Sequence, residues 1–161
     1  MRIDWLKVRN FVHRRTLFCG GAVIEEGRLR VFPIGSLRLG RDGSATYFEL
    51  FARPVSEGSE IAFLAVDMGL WFWLTSLLSG RFSRPPALRL YGKLGKRRPC
   101  RECEKQGWHR RVGLLLRTKG GRSLWSKPGP IRELRFERVE PVNLGPTTRH
   151  LGAWERPGSG F

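Results

Sequence analysis

The chain has 161 residues, 30 Lys and Arg against 14 Asp and Glu, and a formal net charge of +16. That length suits one domain with a real core, and 40% hydrophobic residues, six Trp and ten Phe among them, exclude a wholly disordered basic tail. Three Cys exclude a disulfide-rich secreted scaffold.

From Met1 to Cys19 charged and apolar residues alternate without a continuous apolar core. No secretory signal is read there, and a cytoplasmic location is expected. Residues 22–26 and 28–32 read as strands on either side of Gly27. Leu37 and Leu39 alternate with Ser36 and Arg38, Asp42-Gly43 supplies a tight turn, and 44–53 resumes extended character. In that last strand Tyr47, Glu49 and Phe51 share one face, with Phe48, Leu50 and Ala52 on the other.

Residues 61–78 form the most apolar run, at the lower length limit for a membrane span. One reading is therefore a membrane-associated basic protein with 61–78 inserted. Against it stands the central Asp67, which costs about 2.5–3.5 kcal/mol on insertion scales. A strand over 61–66 running into a buried helix over about 68–79 satisfies the same residues. Beyond Pro85-Pro86, residues 87–94 place Leu88, Leu90 and Leu94 on one face and Arg89, Tyr91 and Lys93 on the other. Residues 112–118 and 122–127 flank Lys119-Gly120-Gly121 as a second hairpin, and 131–139 is read as a strand.

The predicted fold is mainly β with one substantial helix, α+β in class. Its order of strands, helix and strands is that of a five-stranded, partly open OB-type barrel. Residues 1–144 are expected to form the domain, with a basic insertion around 92–111, and 145–161 a loosely held tail.

The charge is not spread evenly. Residues 1–80 and 123–161 each carry a net +2, whereas 81–122 carries fourteen basic residues against Glu102 and Glu104, a net +12. Arg outnumbers Lys by 24 to 6, and the Arg fork pairs with phosphate in two places and stacks on bases. The expected function is accordingly non-catalytic binding of single-stranded DNA or structured RNA, alone or within a ribonucleoprotein. Arg89, Lys93, Lys96, Arg97, Arg98, Arg110, Arg111, Arg117 and Lys119 would grip phosphates, while Tyr91 and Trp108 stack on bases.

A third reading is a protein–protein interaction module, zinc-clasped through Cys100, Cys103 and His109, within a larger assembly. Two thiolates three residues apart can grip one tetrahedral zinc, with the nearby imidazole as third ligand. For each aromatic outside 81–122, including Trp71, Trp73, Trp125 and Trp154, packing is the expected role. No nucleophile motif, phosphate loop or acidic pair for two metals occurs, so no catalytic residue is assigned and no small-molecule substrate is expected.

Overall fold

The computed structural model describes residues 2–49, 55–151 and 155–156. Phe51, Leu50, Ala52 and Trp154, which the sequence reading singled out, lie outside the described residues.

Two short strands, β1 (Arg2–Ile3) and β9 (Glu155–Arg156), pair antiparallel. Between them runs a seven-stranded antiparallel sheet. Its members are β2 (Cys19–Glu25), β3 (Arg28–Ile34), β4 (Arg38–Leu39), β5 (Ser44–Phe48), β6 (Glu60–Val66), β7 (Ala87–Arg98) and β8 (Ile131–Pro141). The spatial order is β3-β2-β6-β7-β8-β5-β4. Among the described residues four α-helices accompany it: α1 (Trp5–Arg15), α2 (Leu70–Ser79), α3 (Glu102–Val112) and α4 (Lys119–Trp125). The class is α+β, mostly sheet, and the sheet is not a closed barrel; seven strands in this order replace the expected five-stranded OB arrangement.

Local chemistry explains the elements. The Asp4 side chain accepts from the Lys7 amide at 3.2 Å to start α1, and Val8, Phe11 and Val12 form its buried stripe. The β2–β3 hairpin turns at Glu26-Gly27, both at positive φ (50° and 73°), the geometry of a two-residue type I′ turn. The Asp42-Gly43 turn expected from sequence joins β4 to β5, and Ser44 donates to Asp42 from both its amide and its hydroxyl.

The main core lies between α1 and one sheet face, where Val8, Phe11 and Val12 meet Val23, Phe63, Leu88, Leu90, Leu94, Leu134 and Phe136. A second, smaller cluster joins Phe48 and Ile131 of the sheet to Trp108 and Val112 of α3.

Three expectations need correction. Residues 61–78 are no membrane span: 61–66 lies within β6 in the sheet interior and α2 is a ten-residue helix. Among the described residues, no helix is long and apolar enough to cross a membrane. Asp67, which is 0% exposed, is what separates the two elements. Its carboxylate takes the Gly69 amide at 2.9 Å and the Arg84 guanidinium at 2.8 Å, and its carbonyl takes the Trp73 indole at 2.6 Å. Arg84 also lies over the Phe72 ring.

The segment 92–111 is not an insertion loop, because β7 continues to Arg98 and α3 follows three residues later. The hairpin expected over 112–127 is instead a 3-10 turn (Leu115–Arg117) and α4, which Thr118 caps by accepting from the Gly121 amide at 2.9 Å. Gly145–Thr147 forms another 3-10 turn. The Thr147 carbonyl accepts from the Phe82 amide, and the His150 ring lies 2.8 Å from the Phe82 carbonyl.

Candidate functional site

The positive segment was expected to present one continuous surface, and the structure divides it. Arg97 donates to Glu49 at 2.7 Å; Arg98 donates to Glu133 at 2.6 Å and forms a fork with both oxygens of Glu104. That fork holds the Glu104 carboxyl down to about 2. Tyr91 is half-buried, with its hydroxyl 3.3 Å from Glu140 and Arg138 stacked over its ring at 4.1 Å. Trp108 is 3% exposed and donates its indole N–H to the Trp125 carbonyl at 3.2 Å. Neither ring is a free stacking platform. Arg117 sits in the 3-10 turn and Lys119 opens α4, so neither continues the strand face of Arg89 and Lys93. Lys96 and Arg110 are exposed at separate places, on β7 and α3.

The zinc reading fails on geometry as well. Cys103 is exposed in the first turn of α3, and Cys100 packs against the Trp108 cluster with its thiol pushed up by burial and by Glu104. His109 faces the Ser126 carbonyl at 3.2 Å. Among the described residues no three His, Cys, Asp or Glu side chains gather to hold a metal ion.

What the structure does assemble is a pocket of about 480 Å³ where α3 and α4 close over the end of β5 and the β2–β3 side of the sheet. Its walls are aromatic: Phe18, Phe32, Phe48, Trp108 and Trp125, with Leu115 and Leu124. Phe48 and Trp108 pack at 5.3 Å between centroids, so that wall is already ordered. Gly35 lets the Phe18 ring lie close, since a Cβ there would sit 3.0 Å from it. An aromatic-lined apolar pocket of this size matches ligand pockets of about 300–1,000 Å³.

The polar edge of the pocket is cationic. Arg111, on α3, lines it and keeps contact with solvent. Desolvation and the neighbouring Arg38 both lower its pKa. Among the described residues no carboxylate pairs with Arg111 or with Arg38, although Arg30, Arg84, Arg97, Arg98, Arg132 and Arg138 all have acidic partners. Two like charges set side by side without an acid repel one another and favour an anion between them. Glu49 also lines the pocket, but its charge is held by Arg97 and Arg132.

Behind these cations, His13 ties α1 to the sheet edge. Its Nε2 accepts from the Leu39 amide at 3.0 Å while Arg9 donates to the Leu39 carbonyl at 3.1 Å. Burial first, then Arg9, Arg111 and Arg38, lower the His13 pKa to about 4. An imidazole that is neutral when folded and protonated when unfolded releases its proton on folding. Its contribution is full above pH 6.5 and is lost as the pH falls towards 4. Urea midpoints are expected to drop across that window, and His13→Gln, which keeps an acceptor and cannot titrate, to flatten the drop. An unchanged slope in the variant would remove His13 from the account.

Sequence reasoning chose Trp108 and Arg111 for another purpose and missed Phe18, Phe32, Arg38 and the pairing of Trp125 with Trp108. No short-range signal connects these positions, because the pocket is closed by five separate stretches of the chain.

No protein-family model and no curated protein matches the sequence. Solved structures do resemble the fold. An FMN-binding protein from Syntrophomonas wolfei subsp. wolfei superposes with a TM-score of 0.56 at 13% identity, over 87% of this chain and 86% of that one. HupZ of Group A Streptococcus gives 0.53 at 13% identity, over 85% and 92%. HutZ, the heme storage protein of Vibrio cholerae, gives 0.50 at 12% identity, over 88% and 95%.

The first and last of these neighbours are named for binding FMN and for storing heme, which overturns the nucleic-acid and ribonucleoprotein readings, the zinc clasp, and the view that small molecules are not to be expected. At such identities the likeness is one of fold: this chain has the split-barrel-like α+β architecture of the FMN-binding protein.

Proposed function

We propose that this protein binds a planar, anionic cofactor of the flavin mononucleotide class in the aromatic pocket beneath α3 and α4. The observation that carries this reading is the combination of an aromatic slot with Arg111, which has no acidic partner among the described residues, at its edge. The ring would lie against Phe18, Phe32, Trp108 and Trp125, and the phosphate would meet the Arg111 guanidinium, which suits a bidentate oxyanion. The fold shared with a protein named as FMN-binding supports the choice of ligand.

A heme-type ring, the cargo named for HutZ, suits the lining less well. Those residues include no His, Cys or Met to ligate iron. The one phenol, Tyr47, is pushed up by burial and by Glu49 and stays protonated. When bound, a flavin supplies hydride and single-electron transfer chemistry; the residues of the pocket bind it and shield it from water. We assign them no acid–base step, and we take residues 1–144 as one domain built around this pocket.

Titration of the intact protein into FMN tests the reading. Stacking on tryptophan quenches flavin fluorescence, so saturable one-to-one quenching is expected, with riboflavin bound more weakly because it lacks the phosphate. Absence of quenching, or heme binding that FMN does not compete with, would overturn it.

A further inference from the structure

A second depression, of about 970 Å³, lies along the β4 edge of the sheet. Its lining includes five cations, Arg9 of α1, Arg38 of β4, Arg41 beyond it, Lys93 of β7 and Arg135 of β8. It also includes two carboxylates, and one of them, Glu133, is already bound by Arg98 at 2.6 Å. Among the described residues none of the five cations forms an ion pair, although Arg135 acts on Asp42 at longer range, whereas the arginines that brace the fold are paired.

The strand register sharpens the point. Lys93 and Arg135 stand directly opposite one another on β7 and β8, and like charges in that relation destabilise a sheet; Glu60 of β6 stands opposite Lys93 on its other side and offsets part of that repulsion. On the other wall, Arg9 is held by the hydrogen bond from its Nε to the Leu39 carbonyl, which leaves its terminal nitrogens unused by that bond. Ser44 and Thr46 of β5 lie between the two cationic walls.

We propose that this groove is a second ligand site, separate from the aromatic pocket, for a small multiply charged anion of the di- or triphosphate class. In the sheet order β4 is two strand spacings from β8 and three from β7, so about 10–15 Å separates the walls. A single phosphate cannot engage both walls at once; a chain of phosphates can. Guanidinium forks suit such oxygens in pairs, and neutralising the opposed Lys93 and Arg135 relieves a repulsion the free protein carries.

The test is calorimetric titration of the intact protein, with FMN already bound, using inorganic triphosphate as the probe and inorganic phosphate alongside. Triphosphate is expected to bind, more tightly than phosphate and more weakly as salt rises. The double variant Lys93→Gln/Arg135→Gln should bind it at least about tenfold more weakly, with FMN quenching unchanged and thermal stability undiminished. Adenosine triphosphate as a second probe distinguishes a free polyphosphate from a nucleotide source, and tight binding of either supports the site.

Failure of the parent to bind triphosphate, or equal binding by the variant, overturns the proposal whatever FMN does. Displacement of FMN by triphosphate overturns it too, because the groove would then be the cofactor's own phosphate seat. Riboflavin, which has no phosphate, reports on the aromatic pocket independently of either result.

Discussion

Replacing Glu49 by Gln is expected to cost about 3–5 kcal/mol of folding stability. Its carboxylate is buried between two guanidiniums, Arg132 at 2.8 Å and Arg97 at 2.7 Å. Arg132 is 3% exposed. It also donates to the Gly95 carbonyl at 3.1 Å and the Val55 carbonyl at 2.8 Å, so it is locked in place and cannot turn to water. The amide of Gln keeps the shape, but it loses the charge and turns its NH2 donor towards one of the guanidinium donors that the carboxylate accepted from. What remains is a buried cation with no counter-charge. Urea unfolding of the variant measures the loss, and Arg132→Met added to Glu49→Gln should recover part of it, since an apolar side chain carries no charge to balance. A single-variant cost below about 1 kcal/mol would mean that Arg132 is balanced by something else.

Gly92→Ala should cost about 3 kcal/mol or more through a different mechanism. Gly92 sits at a bulge in the central β7–β8 pair, where the register jumps between Tyr91–Arg138 and Gly92–Phe136. A Cβ there would collide with the Arg135 carbonyl and sit 2.8 Å from the Phe136 Cα, both backbone atoms that cannot rotate away. The two strands would have to part next to Leu90, Leu94 and Phe136 of the core. Thermal melting of the variant checks this, and the contrasting case, Gly120→Ala within α4 with open space around it and no positive φ, should cost little or nothing.

The strands were legible because their chemistry is local. Period-2 alternation marked 87–94, a short apolar run ending before Asp67 marked 61–66, and Asp42-Gly43 marked the turn into β5. The helices were less so. In α1 the buried Val8, Phe11 and Val12 have helical spacing, but the charges interleaved with them read as simple alternation. In α3 only Trp108 and Val112 are buried, so one apolar stripe of two residues is hidden among basic ones and looks like a solvated loop. Gly120-Gly121 resembled hairpin chemistry; the structure uses Gly121 instead for the close approach of α4 to the Leu115 carbonyl.

The site was illegible for a related reason. A sequence shows where cations are dense and is silent on which of them are neutralised. The acids that quiet the +12 segment come from far along the chain, Glu49 to Arg97 across 48 residues and Glu133 to Arg98 across 35. Subtracting those pairs moves attention from Arg97 and Arg98 to Arg111, whose partner in space, Arg38, lies outside the segment altogether. The aromatic rings follow the same pattern, with Phe18, Phe32 and Trp125 converging only once the sheet and the two helices have formed.

The central claim is that an aromatic slot and an unpaired guanidinium act together on one ligand. The ratio of FMN to riboflavin affinity, measured by flavin fluorescence in the parent and in Arg111→Met, tests it most directly. The parent should prefer FMN, and the variant should bind FMN roughly 10- to 100-fold more weakly while riboflavin changes little, as expected when one charged hydrogen-bond donor to an oxyanion is removed. Equal losses for both flavins, or no loss for either, would contradict the assignment of the phosphate to Arg111.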